Sequence, residues 1–172
     1  MPKLGNKVVN YSIYARENNT PVKIDDTTSV QLPSIEMLTD TIKGAGIMGE
    51  IDYPTFFQPG SMSLEINIRV SGEKLGLLAS AQSIEVRWIT DVFDTNDIKV
   101  GVDSHKAFMK CTPKKLEEGK LEPGSPQDGS FEYEVFTYKR ITNGKEILNI
   151  DKFNNIFAIN GKNVMQDVQA FL

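Results

Sequence analysis

One histidine and one cysteine bound the chemistry open to this chain of 172 residues. His105 lies in Asp103-Ser104-His105-Lys106, where the three residue types of a nucleophilic triad stand side by side. The types fit but the spacing does not. Neighbouring side chains of a strand point to opposite faces, so Ser104 and His105 would not share a site, and a polar strand end is the simpler reading. Cys111 follows Met109 in an alternating segment ahead of Thr112-Pro113. A thiol so placed behaves as a small apolar strand residue. Metal binding through His and Cys needs more than one of each, or a carboxylate cluster of suitable spacing. Asp91, Asp94 and Asp97 are spaced by three but lack the Gly and terminal Glu of a calcium loop, so they read as solvated turn carboxylates. Gly44-Ala45-Gly46-Ile47-Met48-Gly49 matches the dinucleotide fingerprint letter for letter. That fingerprint works only when its glycines open a helix whose N-terminus meets the pyrophosphate. Here Glu50-Ile51-Asp52-Tyr53-Pro54 follows and runs into a proline. The sequence thus offers no catalytic set, no metal set and no cofactor set, and reads as a non-enzyme.

Net charge is −4 and no basic stripe accompanies the aromatics, which disfavours phosphate neutralisation and base stacking. A single cysteine precludes a disulfide within the chain and suits a reducing compartment. No apolar run approaches the roughly 18 residues of a membrane span. The start, MPKLGNKVV, lacks the apolar core of a signal peptide. Synthesis in a cytoplasm follows. A chain of this length buries about 70% of its unfolded surface and is expected to form one domain over residues 1–172.

The elements that would position these residues are mostly strands. Period-two alternation dominates. Over Ser61–Ser71, Met62, Leu64, Ile66, Ile68 and Val70 share one face, and Ser63, Glu65, Asn67 and Arg69 share the other. That is a strand with one buried and one wet side. Ser83–Phe93 repeats the pattern, with Ile84, Val86, Trp88 and Val92 inward and Glu85, Arg87 and Asp91 outward. Ile98–Val102 follows a turn at Asp94-Thr95-Asn96-Asp97, which predicts a hairpin. Phe131–Ile141 and Lys145–Phe153 flank Thr142-Asn143-Gly144, whose Asn-Gly favours a tight hairpin. Val8–Ala15 and Val22–Leu32 add two strands. Helix is scarce: Lys74–Ala81 can make about two turns, and Asn163–Phe171 reads as a C-terminal helix with Val164, Val168 and Phe171 inward.

Two stretches resist packing. Gly44–Gly60 is Gly-rich and carries Met48, Tyr53, Phe56 and Phe57. Pro113–Gly129 is charged, rich in Pro and Gly, and nearly free of large apolar groups. Loops this long are uncommon in compact domains and are usually functional or disordered.

The arrangement resembles a known family. The residues that carry the likeness are Leu32-Pro33, then Gly44-Ala45-Gly46 and Gly49, and then Tyr138-Lys139-Arg140-Ile141-Thr142-Asn143-Gly144-Lys145-Glu146-Ile147-Leu148-Asn149-Ile150-Asp151. Ile159-Asn160-Gly161-Lys162-Asn163 fits the family's hairpin before its terminal helix. From about residue 6 onward the chain looks like the major tail tube protein of contractile-tailed bacteriophages and the related tubes of R-type pyocins. The resemblance implies a mainly β fold of two packed antiparallel sheets, β-sandwich or barrel-like, with a short flanking helix and a C-terminal helix. It implies hexameric rings whose strands join into one continuous barrel wall, stacked as a tube inside a contractile sheath. Type VI secretion tubes share the fold. Implied partners are further copies of the chain, the sheath protein, the tape-measure protein, and baseplate and tail terminator proteins. DNA would pass through without specific binding, and the implied location is the tail of a virion or tailocin made in a bacterial cytoplasm.

On this reading Ser63, Glu65, Asn67 and Arg69 are candidate lumen residues. Gly44, Ala45, Gly46, Met48, Gly49, Tyr53, Phe56 and Phe57 form a candidate inter-subunit contact loop. The tube of a bacteriocin or secretion particle is an alternative within the same class. A monomeric β-sandwich ligand-binding module is the alternative from another class, and would show an exposed aromatic platform.

Overall fold

The computed structural model describes residues 2–69 and 72–172. In chain order its strands are β1 (Lys3–Glu17), β2 (Thr20–Ile24), β3 (Thr27–Gln31), β4 (Met37–Ile42), β5 (Ile51–Pro59) and β6 (Ser63–Arg69). Helix α1 (Gly72–Ala79) follows, then β7 (Ser83–Asp94), β8 (Lys99–Glu117), β9 (Asp128–Thr142), β10 (Lys145–Asp151), β11 (Ile156–Ile159), β12 (Lys162–Asn163) and α2 (Gln166–Ala170). The fold is mainly β, with a large antiparallel sheet of ten strands and a small second sheet made of β4 and β5.

Pairing along the large sheet runs β12-β11-β10-β9-β8-β7-β1-β2, and β6 joins β9 on one side and β3 on the other. Strand β9 serves two neighbours along one edge, β6 over Asp128–Glu134 and β10 over Thr137–Thr142. Strands β2 and β3 lie at the two ends of a pairing circuit, yet only Asp25 and Asp26 separate them in sequence. The sheet therefore curls until its ends are covalently joined. The interruption splits the Val22–Leu32 strand expected from alternation. Asp26 holds a positive φ of 61°, its carbonyl accepts from Arg69 N at 3.1 Å, and its carboxylate meets Arg69 Nη1 at 2.8 Å.

Alternation fills the curl. Met62, just before β6, and Leu64, Ile66 and Ile68 of β6 are buried, as are Ile13, Ala15, Ile84, Val86, Ala107, Met109, Phe131, Tyr133 and Val135 on other strands of the sheet. Val70 lies outside the described residues. Helix α1 starts and ends two residues earlier than expected; it buries Leu78, whose carbonyl accepts from the buried Tyr133 hydroxyl at 2.6 Å. The Asn-Gly turns behave as their chemistry dictates. Asn143 and Gly144 join β9 to β10 with φ of 50° and 77°, both positive as a tight hairpin requires.

Four expectations need correction. Residues 51–59 of the expected loop form strand β5, because Ile51-Asp52-Tyr53 pairs with Asp40-Thr41-Ile42. Residues 113–117 continue β8, and β9 begins at Asp128, so the charged loop shrinks to 118–127. Pro113 hid this continuation, and the ladder accommodates it by a register shift between Pro113 and Lys115. Glu85 was expected outward but is buried between Tyr14 and Phe108 on the adjacent strands, with Arg87 Nε donating to its Oε1 at 2.7 Å. Helix α2 ends at Ala170, and Phe171 beyond it is 89% exposed rather than inward. Val164 and Val168 do pack against the core.

Candidate assembly surfaces

The chemistry sought in the sequence is dismantled by position. His105 is buried, while Ser104 is exposed and its backbone N donates to Asn143 Oδ1 at 3.0 Å. Asp103 Oδ1 accepts from Asn143 Nδ2 at 3.0 Å. Ser104 does not face the imidazole, which Thr90 and Thr142 hydroxyls flank at 2.8 and 3.0 Å. Burial pushes the Cys111 thiol up to about 12, so it is neither nucleophile nor ligand at neutral pH. Asp91 Oδ1 accepts from Lys7 N at 2.8 Å and Asn6 N at 3.2 Å, and Asp94 Oδ1 from Asn96 N at 2.9 Å. These carboxylates serve backbone amides at a bulge and a turn. Among the described residues no group of three or more His, Cys, Asp or Glu could hold a metal ion, and no helix is long and apolar enough to cross a membrane.

Three surfaces remain. The first is the β4–β5 hairpin. Its connection spans residues 43–50, with Gly46 and Gly49 at φ of 87° and 82°, which explains glycine at both. Gly44 and Ala45 complete the turn, and Ile47 N donates to Gly44 O at 3.1 Å. Met48 is 100% exposed, and Leu38, Ile42, Ile47, Ile51, Tyr53 and Phe56 are also open to solvent. Phe57 differs. Its ring is half-buried, 5.1 Å from Phe157 and 5.0 Å from Phe56, so it fastens the hairpin to the body. The sequence grouped Phe57 with the tip residues; the structure separates root from tip.

The second surface is the outer face of β6 and its neighbours. Ser63, Glu65, Asn67 and Arg69 alternate outward and each finds a partner on an adjacent strand or corner. Lys114 Nζ bonds the Ser63 hydroxyl, Ser130 Oγ donates to Glu65 at 3.0 Å, Asn67 Nδ2 to Ser29 Oγ at 2.9 Å, and Arg69 to Asp26. Glu134 joins the same face. Burial pushes its carboxyl up, but the Ser61 hydroxyl, Lys114 and Lys152 together hold it below the ordinary carboxylate value. A sheet face crossed by such pairs is wetted rather than packed.

The third surface was not singled out in the sequence. Beyond the curl, Lys3–Asn10 of β1, Ile89–Asp94 of β7 and Lys99–Ser104 of β8 continue as a three-stranded extension. β2 pairs β1 only from Ile13 onward, and β9 pairs β8 only from His105 onward. Among the described residues, the edges of Lys3–Ser12 and Lys99–Asp103 that face away from β7 pair with no strand. Leu4, Val8, Val9, Val100 and Val102 stand exposed along these two free edges, and Ile98 in the turn before β8. Long, exposed, apolar edges invite pairing with another chain. The signal in sequence was present but diffuse: apolar residues at both ends of strands whose middles are core.

Comparison with known proteins follows the same direction. No curated protein sequence matches the chain. Among solved structures, the chain is similar to one in the PVC sheath/tube terminator of an extracellular contractile injection system in the extended state. The identity is 14%, the TM-score 0.50, and the match covers 78% of this chain and 95% of that one. It is similar also to one in the PVC sheath-tube complex in the extended state, at 11% identity and TM-score 0.50, over 79% of this chain and 90% of that one. At such identities the likeness is one of fold. The family described as phage tail tube protein FII matches residues 6–172. The chain belongs to the phage tail tube protein FII family.

Proposed function

We propose that this tail tube protein assembles into hexameric rings that stack as the inner tube of a contractile particle, with DNA leaving through the lumen. Its role is structural, not catalytic. The observation that carries the reading is the pair of unpartnered edges on opposite sides of the three-stranded extension, Lys3–Ser12 and Lys99–Asp103. A subunit with two different, opposite edges joins head to tail, and head-to-tail contacts close into rings when the rotation allows. Closure removes the edges from solvent.

The hairpin would supply the second contact. Its exposed apolar tip, led by Met48, is a surface that a stacked or neighbouring copy can cover, while Phe57 keeps it anchored. The polar face bearing Ser63, Glu65, Asn67 and Arg69 would line the bore. A conduit for DNA gains nothing from phosphate contacts, since each adds sequence-independent affinity that salt must relieve. The net charge of −4 agrees with that requirement. Sheath, tape-measure, baseplate and terminator proteins are the partners this role implies. Electron microscopy of purified, concentrated protein tests the reading: rings or tubes of sixfold symmetry are expected, and a uniformly monomeric field overturns it.

A further inference from the structure

The roles assigned so far leave a buried polar layer unused. Where the apolar core ends, Tyr11, Trp88, His105 and Thr142 stand opposite one another across β1, β7, β8 and β9, and Arg140, two residues before Thr142 and opposite Ala107, shares their face. The layer sits at the root of the three-stranded extension. The imidazole of His105 stacks on Trp88 with centroids 5.2 Å apart and planes at 18°. The Arg140 guanidinium lies 5.0 Å from the same indole centroid, and its Nη2 is 3.4 Å from His105 Nδ1.

These contacts favour the neutral ring. Guanidinium donates only, so Nδ1 must present a lone pair. That one lone pair is shared between Arg140 Nη2 at 3.4 Å and the Thr142 hydroxyl at 3.0 Å. The ring proton then sits on Nε2, which donates to Thr90 Oγ1 at 2.8 Å. Both nitrogens are satisfied in the neutral ring. A second proton would place an N–H on Nδ1, directly opposite the Arg140 N–H, with like charges at close range in a partly dry site. Thr142 can rotate to accept; Arg140 cannot. Arg140 Nε lacks a partner, so apart from His105 the guanidinium is held by the Trp88 ring and the Tyr138 hydroxyl.

We propose that His105 is an acid-sensitive latch: neutral, it holds Arg140 in the layer; protonated, it expels Arg140 and loosens the extension that carries both free edges. The surrounding charges agree. Burial and then Arg140 favour the neutral ring, and Asp103 on β8 opposes them while bonded to Asn143. Strand β9 adds Tyr138, whose hydroxyl bonds Arg140; β10 places Lys145 opposite Thr142; β1 contributes the neutral Tyr11. On β7 the nearest charge, Arg87, is turned to the other face and paired with Glu85. The folded ring therefore titrates below its ordinary value of 6.5. Folding favours the neutral form, so the stabilisation is complete above pH 6.5 and is lost as pH falls through the folded value.

The latch belongs to the subunit and rests on the ring reading only for its effect on assembly. His105 is the sole histidine and Trp88 the sole tryptophan, so both readouts are unambiguous. The full chain is titrated from pH 8 to pH 4.5, following Trp88 emission and amide protection over residues 3–10 and 99–104. One emission transition below pH 6.5 is expected, with protection over those segments lost in the same window. His105→Gln should abolish both changes. Arg140→Gln removes the facing cation and should move the transition to higher pH. Absence of a wild-type transition, its persistence in His105→Gln, an unmoved or lowered emission midpoint in Arg140→Gln, or, in the wild type, emission change without loss of protection overturns the latch. None of these readouts depends on tube formation.

Discussion

Replacing Met48 by Asp separates assembly from folding most sharply. Met48 is 100% exposed in the subunit, so the substitution removes no contact within it. Exposed changes of this kind alter stability by about 0.5 kcal/mol or less. At roughly 2–4 °C per kcal/mol for a chain this size, Tm should move by about 2 °C at most. A contact between copies is affected differently. Burying a Met side chain contributes about 2 kcal/mol, which Asp forfeits before the cost of desolvating its charge is added. At about 1.4 kcal/mol per factor of ten, each contact weakens by roughly 30-fold or more. Phe57→Ala is the control with the opposite signature. Its ring packs on Phe157 and Phe56 and is half-buried, so about 2 kcal/mol of subunit stability, or about 4–8 °C in Tm, should be lost. Thermal melts and sedimentation of both variants form the assay. A Met48→Asp protein that polymerises like wild type, or that melts as early as Phe57→Ala, refutes the division of the hairpin into tip and root.

Other outcomes follow from the remaining surfaces. A cysteine placed at Asn67, on the polar face of β6, should react with a small maleimide in assembled tubes and be protected from a bulky one; equal access for both reagents would place that face outside the bore. Native Cys111, its thiol pushed up to about 12 by burial, should stay unreactive to Ellman's reagent at pH 8 and react fully in denaturant; rapid native labelling would contradict its place in the core.

Much of the wall was legible because burial on one face of a strand leaves a period-two trace. Ser63–Arg69 within the expected Ser61–Ser71 strand, Ser83–Phe93 and the Asn143-Gly144 hairpin stand where alternation and turn chemistry put them. Legibility failed where a strand lacks that contrast. Strand β5 is solvent-exposed on both faces along most of its length, so Ile51–Pro59 shows no alternation and reads as loop. The end of β8, Lys114–Glu117, is exposed and charged, and Pro113 disguises it further. Glu85 failed for the opposite reason, since a charge is buried only because Arg87 lies two residues away to pair with it. The candidate surfaces divide in the same way. The polar face of β6 could be seen residue by residue. The free edges could not, because an edge is defined by the absence of a neighbour, which depends on where β2 and β9 stop pairing.

The central claim is that sister copies complete the sheet of each subunit. Hydrogen exchange, comparing dissociated subunits with assembled tubes at pH 7.5, tests it directly. The account predicts that, within residues 3–12 and 99–103, the amides on the free edges, which do not bond β7, exchange fast in the subunit and become strongly protected on assembly, both segments together. Tubes in which those two segments exchange as fast as in the free subunit would contradict it.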